Sequence, residues 1–106
     1  MTTLLALYRR PDGGDEALAT FLRRYHDEHL PLVAATPGLR STRVQTVTEA
    51  LRAETDLVLV TAMDFDDRAA LDAGLASDAM RQAGRNLREI APGLATLLVL
   101  EDDPGS

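Results

Sequence analysis

The sequence of 106 residues contains no cysteine, no lysine and no tryptophan. The absence of cysteine excludes disulfides, thiolate nucleophiles, zinc ribbons and iron–sulfur ligation. All 11 basic residues are arginine, which excludes a Schiff-base lysine and a P-loop lysine. Aromatic residues make up only 4% of the chain, and no apolar run approaches the roughly 20 residues that cross a bilayer.

The charge balance of the chain is acidic. Seventeen Asp and Glu residues against 11 Arg give a net charge of -6, which argues against a nucleic-acid partner or an anionic membrane surface. The hydrophobic share of 45% and the charged share of 26% are those of an ordinary globular protein. We expect one domain over residues 1–101 and a polar tail over 102–106. We also expect a cytoplasmic location, because the start of the chain lacks the pattern of a secretory signal.

The hydrophobic pattern predicts the element order β-α-β-β-α-β. The expected strands are Thr2–Arg9, Leu39–Glu49, Thr55–Phe65 and Leu94–Leu100. A first helix begins at Asp15, and a second helical region runs to about Ile90, capped by Asp66 or Asp67 and again by Ser77 or Asp78. This order predicts an α+β fold, the ferredoxin-like βαββαβ plait, in which a four-stranded antiparallel sheet carries its helices on one face.

The first helix carries an apolar stripe that ends in a histidine. The stripe has helical spacing and consists of Leu18, Phe21, Leu22 and Tyr25. At about 100° per residue, His29 returns to the same face. Pro31 cannot donate a hydrogen bond to the carbonyl of Asp27 and its ring crowds that carbonyl, so a kink or a helix end is expected around His29–Pro31.

Three of the four strands are apolar on both faces. The helices, however, cover only one face of the sheet. A bare second face would expose more apolar surface than a monomer usually shows. Burying about 800 Å² per partner at about 25 cal/mol/Å² gives on the order of 20 kcal/mol per partner before association costs. We therefore predict a homodimer formed sheet face to sheet face. The alternative is a monomer in which long strands or the tail fold over the sheet.

Three segments of the first half resemble the EthD family, which is named after ethyl tert-butyl ether degradation. They are Tyr8-Arg9-Arg10-Pro11-Asp12-Gly13, Phe21-x-x-x-Tyr25-x-x-x-His29-x-Pro31 and Pro37-Gly38-Leu39-Arg40. The resemblance implies a dimeric α/β barrel and a pocket between the first helix and the sheet, with His29 as the functional group. Related barrel families include cofactor-free monooxygenases, lactone isomerases, polyketide cyclases, dehydratases and haem-degrading enzymes, so the fold alone does not fix the reaction.

His29 is the leading candidate for a general acid/base, because an imidazole both accepts and donates a proton near neutral pH. Tyr25, one turn earlier on the same face, is predicted to assist it. The predicted substrate-binding residues are Tyr8, Phe21 and Asp64. His29, the two tyrosines and Asp64 also have structural interpretations. His29 would be a core histidine bonded to a carbonyl, the tyrosines would only pack in the core, and Asp64 would cap the following helix.

We expect no metal site and no cofactor. His26 and His29 have i, i+3 spacing, but Asp27 and Glu28 point around the helix, and a metal needs three or more converging ligands. Haem bound at His29 is an alternative by analogy with related barrels. Two functions stay open: an enzyme acting on a small apolar organic molecule by isomerisation, dehydration or oxygenation, and a non-catalytic ligand-binding or accessory protein of an oxidative degradation pathway. A dimerisation module without a ligand is the third possibility.

Overall fold

The computed structural model describes residues 1–105 and shows one four-stranded antiparallel sheet. Its strands lie in the order β2-β3-β1-β4. Their bounds are Thr2–Arg9 for β1, Ser41–Thr46 for β2, Leu57–Phe65 for β3 and Ala95–Glu101 for β4. The predicted α+β ferredoxin-like plait is confirmed. Strand β2 is shorter than the predicted Leu39–Glu49. The last residue of the predicted tail, Ser106, lies outside the described residues.

Four helical segments cover one face of the sheet. They are α1 (Gly14–Arg24), α2 (Leu30–Ala34), α3 (Arg68–Leu75) and α4 (Asp78–Ile90). The side chain of Asp67 caps α3 by accepting from the backbone N–H of Ala70, and Ser77 caps α4 in the same way. Within residues 1–105 no helix is long and apolar enough to cross a membrane.

The first helix passes through a π-helical turn, Tyr25–His29, between α1 and α2. The N–H of Leu30 donates to the carbonyl of Tyr25, five residues earlier. Pro31 has no N–H and would crowd the carbonyl of Asp27 in a regular α-helix, and a wider π turn is one way to relieve this conflict. The predicted irregularity is present, but the helix continues to the end of α2 instead of stopping.

Alternation along the central strands separates the two faces of the sheet. Along β1 and β3, every second side chain is buried under the helices. These buried residues are Thr2, Leu4, Ala6, Tyr8, Leu59, Thr61, Met63 and Phe65. Edge strand β4 is less covered on this face: Leu97, which pairs with Ala6, is 53% exposed.

The opposite face, which we call the open face, carries an exposed apolar patch on β1, β3 and β4, with polar residues such as Asp64 and Arg43 at its border. Strand pairing places Leu5 of β1 between Ala62 of β3 and Leu98 of β4. The apolar members of this face are Leu5, Leu7, Val58, Val60, Ala62, Leu98 and Leu100. Leu98 and Leu100 are 41% and 42% exposed, so residues 102–105 of the tail do not cover them. The prediction that the sheet is apolar on both faces is confirmed.

Candidate functional site

His29 is buried at 5% exposure and lines a small cavity between α4 and the helix-covered face of the sheet. The π turn carries His29, and Pro31 follows it two residues later. The other walls are almost entirely apolar, for example Met63 of β3 and Leu97 of β4. This wall composition makes His29 the one group in the cavity that titrates near neutral pH.

The cavity volume of about 120 Å³ limits what it can hold. An engineered apolar cavity of about 150 Å³ accepts a benzene molecule, whereas sites for drug-sized ligands span about 300–1,000 Å³. The inner cavity therefore holds about one small ring at most, and a larger molecule has to extend out of it.

Asn86 contacts the His29 ring, and Glu28 and Arg24 hold Asn86 in turn. The Nδ1 of His29 lies 3.2 Å from Oδ1 of Asn86 in α4. The Asn86 amide donates from Nδ2 to Glu28 at 3.0 Å, and Glu28 accepts two hydrogen bonds from Arg24 at 2.7 and 3.0 Å. Because a carboxylate only accepts, Asn86 must turn its NH₂ to Glu28 and its oxygen to His29. The Nδ1 of His29 therefore carries the hydrogen, and Nε2 is the basic nitrogen of the neutral ring.

Burial and hydrogen bonding act on the pKa of His29 in opposite directions. Burial lowers the pKa below its usual 6.5 and outweighs the hydrogen bonds to the Asn86 side chain and the Ala83 carbonyl, which favour the charged ring. Hydrogen bonding from Arg24 lowers the pKa of Glu28, so this carboxylate stays ionised beside Asn86. At neutral pH the cavity is thus lined by an uncharged imidazole.

The lowered pKa of His29 predicts a loss of stability on mild acidification. Between the folded pKa and the unfolded value of 6.5, the unfolded chain binds more protons than the folded chain. The free energy of unfolding is then fully retained above 6.5 and falls as the pH drops below it. Urea unfolding measured between about pH 7.5 and about pH 5 tests this. His26→Gln, which removes the exposed histidine, should keep the loss, whereas a flat profile in the wild type would contradict it.

Three buried hydroxyl groups lie beside the cavity. The Tyr25 hydroxyl is 3.2 Å from that of Tyr8 and 2.5 Å from that of Thr61. Burial raises the pKa of both tyrosines, so both remain protonated. The Tyr25 ring packs against His29, with centroids 5.0 Å apart. Of the two tyrosines, only Tyr8 lines the cavity, and Tyr25 contacts Tyr8 through its hydroxyl group.

The structure does not bring Phe21 and Asp64 to the His29 cavity. Phe21 is 2% exposed and lines a separate surface hollow of about 610 Å³ near the start of α1. Asp64 lies on the open face, because its strand neighbours Met63 and Phe65 point to the helices. Its carboxylate accepts hydrogen bonds from Thr3 and Ser41, which lower its pKa. Asp64 is also not the helix cap.

Two residues of α4 that shape the site were not predicted from the sequence. Asn86 orients His29 from 57 positions along the chain. Gly84 lies on the cavity wall, and a Cβ there would meet only Nη1 of Arg88 at 3.8 Å. A glycine inside a helix costs about 1 kcal/mol relative to alanine, so packing does not explain it. A half-buried amide and a glycine inside a predicted helix are weak signals in a single sequence.

No three His, Asp or Glu side chains within the described part of the chain come together to hold a metal ion.

Comparison with known proteins gives structural matches only. No family model and no curated protein matches the sequence. An EthD family protein from Bacillus halodurans C-125 is 28% identical, with a TM-score of 0.85 over 97% of this chain and 99% of that one. A dimeric ferredoxin-like protein of unknown function from Bacteroides fragilis NCTC 9343 is 17% identical, with a TM-score of 0.70 over 95% of each chain.

A more distant match has a described activity. SnoaB, a cofactor-independent oxygenase from Streptomyces nogalater, is 15% identical, with a TM-score of 0.62 over 95% of this chain and 91% of that one. At this identity the match shows the fold alone. The resemblance to the EthD family that the first-half motifs predict is confirmed, since the chain has the fold of an EthD family protein over nearly its whole length.

Proposed function

We propose that this chain is a homodimeric enzyme that uses His29 as a general base on a small apolar organic molecule, without a bound cofactor. The observation that carries the proposal is the state of the His29 ring. Its Nδ1 lies against Asn86 and burial favours the neutral ring, so Nε2 is the basic nitrogen of a side chain that lines an apolar cavity. A base with a pKa near or below neutral is suited to proton transfer at physiological pH.

The proposed step removes a proton from a carbon next to a carbonyl group. Nε2 of His29 takes the proton, the C–H bond breaks, and the electron pair moves onto the carbonyl oxygen. When the Thr61 hydroxyl donates its hydrogen bond to Tyr25 and the Tyr25 hydroxyl donates to Tyr8, the Tyr8 hydroxyl can donate to the carbonyl oxygen of the substrate. The Asn86 and Ala83 oxygens stabilise the imidazolium. Return of the proton to another carbon gives an isomerase, and dehydration or oxygenation can begin with the same step.

The open face supports the dimer in this proposal. Its apolar side chains lie on a sheet face that no residue between 1 and 105 covers, and similar structures are described as dimeric ferredoxin-like proteins. A second copy with the same face is the partner that this pattern fits best. The cytoplasmic location that the sequence predicts is part of the same proposal.

Turnover of benzisoxazole tests the proposed base. This small aromatic opens to a cyanophenolate when a base removes its one acidic C–H proton, and the product is followed by absorbance. We expect the wild-type protein to open it faster than an equal concentration of free imidazole, with a rate that falls as acid protonates His29. Benzisoxazole that binds without being opened would favour the accessory, ligand-binding function instead.

A further inference from the structure

We propose that the natural ligand is a small organic anion whose apolar part fills the His29 cavity and whose acid group lies outside α4, beside Arg88 and Arg81. The inference rests on the proposed function for the location of the site, and it adds the substrate class and the entrance. Three observations carry it: the shape of the cavity mouth, the charges around it, and the glycine at its edge.

Gly84 lines the His29 cavity and also two hollows on the outer side of α4. One outer hollow of about 260 Å³ shares Gly84, Leu87 and Leu97 with the cavity and is also lined by Arg88. A second, of about 320 Å³, shares Gly84 and Met80 with it. A ligand too long for the inner volume of about 120 Å³ therefore has room to extend outward past Gly84.

The charge beside this mouth is positive in a protein whose net charge is -6. Arg81, Arg85 and Arg88 follow one another at helical spacing along α4, and all three line the second hollow. Arg81 contacts Asp78. Arg85 and Arg88 form no ion pair with any residue between 1 and 105. The guanidinium of Arg88 is therefore unpaired and can bind a carboxylate at the mouth, while that of Arg81 would be shared with Asp78.

Gly84 is a gap in the helix wall that packing does not require. At Gly74 of α3, by contrast, an added Cβ would come within 2.9 Å of Phe65, so packing excludes a side chain there. At Gly84 an added Cβ meets only Arg88, at ordinary contact distance. The missing side chain thus leaves space at the cavity wall between Arg81 and Arg88, which lie one helical turn to either side.

Benzoate and benzamide form a matched pair of probes, since the two differ mainly in charge. Binding is followed by calorimetry and by the NMR signals of the His29 ring. We expect benzoate to bind at least about fivefold more tightly than benzamide at low salt, with the difference shrinking as salt is added. Arg88→Gln combined with Arg81→Gln should remove this preference. Arg23→Gln combined with Arg52→Gln, which removes the same two charges at exposed positions away from α4, should keep it.

Gly84→Leu tests the entrance independently of charge. It should weaken both probes about tenfold or more without unfolding the chain, and Gly84→Ala should raise Tm by about 4 °C or more. Equal binding of benzoate and benzamide to the wild type would overturn the anion inference and leave the proposed base intact. Failure of both probes to reach the His29 ring would overturn the inference together with the proposed function.

Discussion

Replacing His29 by alanine is expected to slow the opening of benzisoxazole by about 100-fold or more, because general-base catalysis by a placed side chain contributes about 10²–10⁴. No second group in the cavity replaces this base, since the tyrosine there stays protonated through burial. The measurement is the initial rate at saturating and subsaturating probe. Loss of the base lowers the turnover number and leaves the apolar cavity able to bind.

Two further variants keep this test informative. His29→Gln preserves a polar side chain of similar length and guards against a fold defect in the alanine variant. Asn86→Ala should lower the rate less, by about 10-fold, and should shift its pH profile, because it removes the acceptor that holds Nδ1. Full activity in both His29 variants would show that the base lies elsewhere. His26→Ala, at an exposed position, is the matched control.

Arginine in place of Leu5 is expected to convert the protein from a dimer to a monomer. Leu5 lies at the centre of the open face, between Ala62 and Leu98. In the proposed dimer an arginine there would bury two unpaired charges per assembly, which costs several kcal/mol. In a single chain it faces solvent, so the fold is retained. Light scattering at micromolar concentration should give twice the 11.5 kDa chain mass for the wild type and one chain mass for the variant.

The control for this experiment lies outside the sheet. Leu51 in the loop between β2 and β3 is 80% exposed, and Leu51→Arg adds the same charge away from the open face. This variant should stay dimeric. If light scattering gives the mass of one chain for the wild type, and Leu5→Arg does not change this mass, the proposed dimer is wrong.

Periodicity and proline chemistry predicted most of the fold. The alternating strand residues specify two faces, and strand β1 runs over Thr2–Arg9 as predicted. Pro31 predicted the irregularity in the first helix, because a missing N–H and a crowded carbonyl are local effects. That the chain resolves the conflict by a π turn, and continues to Ala34, depends on packing that a single sequence does not reveal.

The candidate site was less predictable, because it depends on contacts between distant parts of the chain. His29 was found from its position on a helical stripe. Its partner Asn86 is a tertiary neighbour, and no local pattern connects the two. Strand alternation does place Asp64 on the open face, because its neighbour Met63 faces the core. The prediction that Asp64 lines the pocket is therefore wrong.

The most direct test of the account is the protonation state of the His29 ring, measured by long-range ¹H–¹⁵N NMR across a pH titration. The hydrogen-bond chain through Asn86 and Glu28 predicts a neutral ring that carries its hydrogen on Nδ1. The titration should give a pKa below 6.5. A hydrogen on Nε2, or a ring that is still charged at neutral pH, would contradict the claim that His29 presents a base to the cavity.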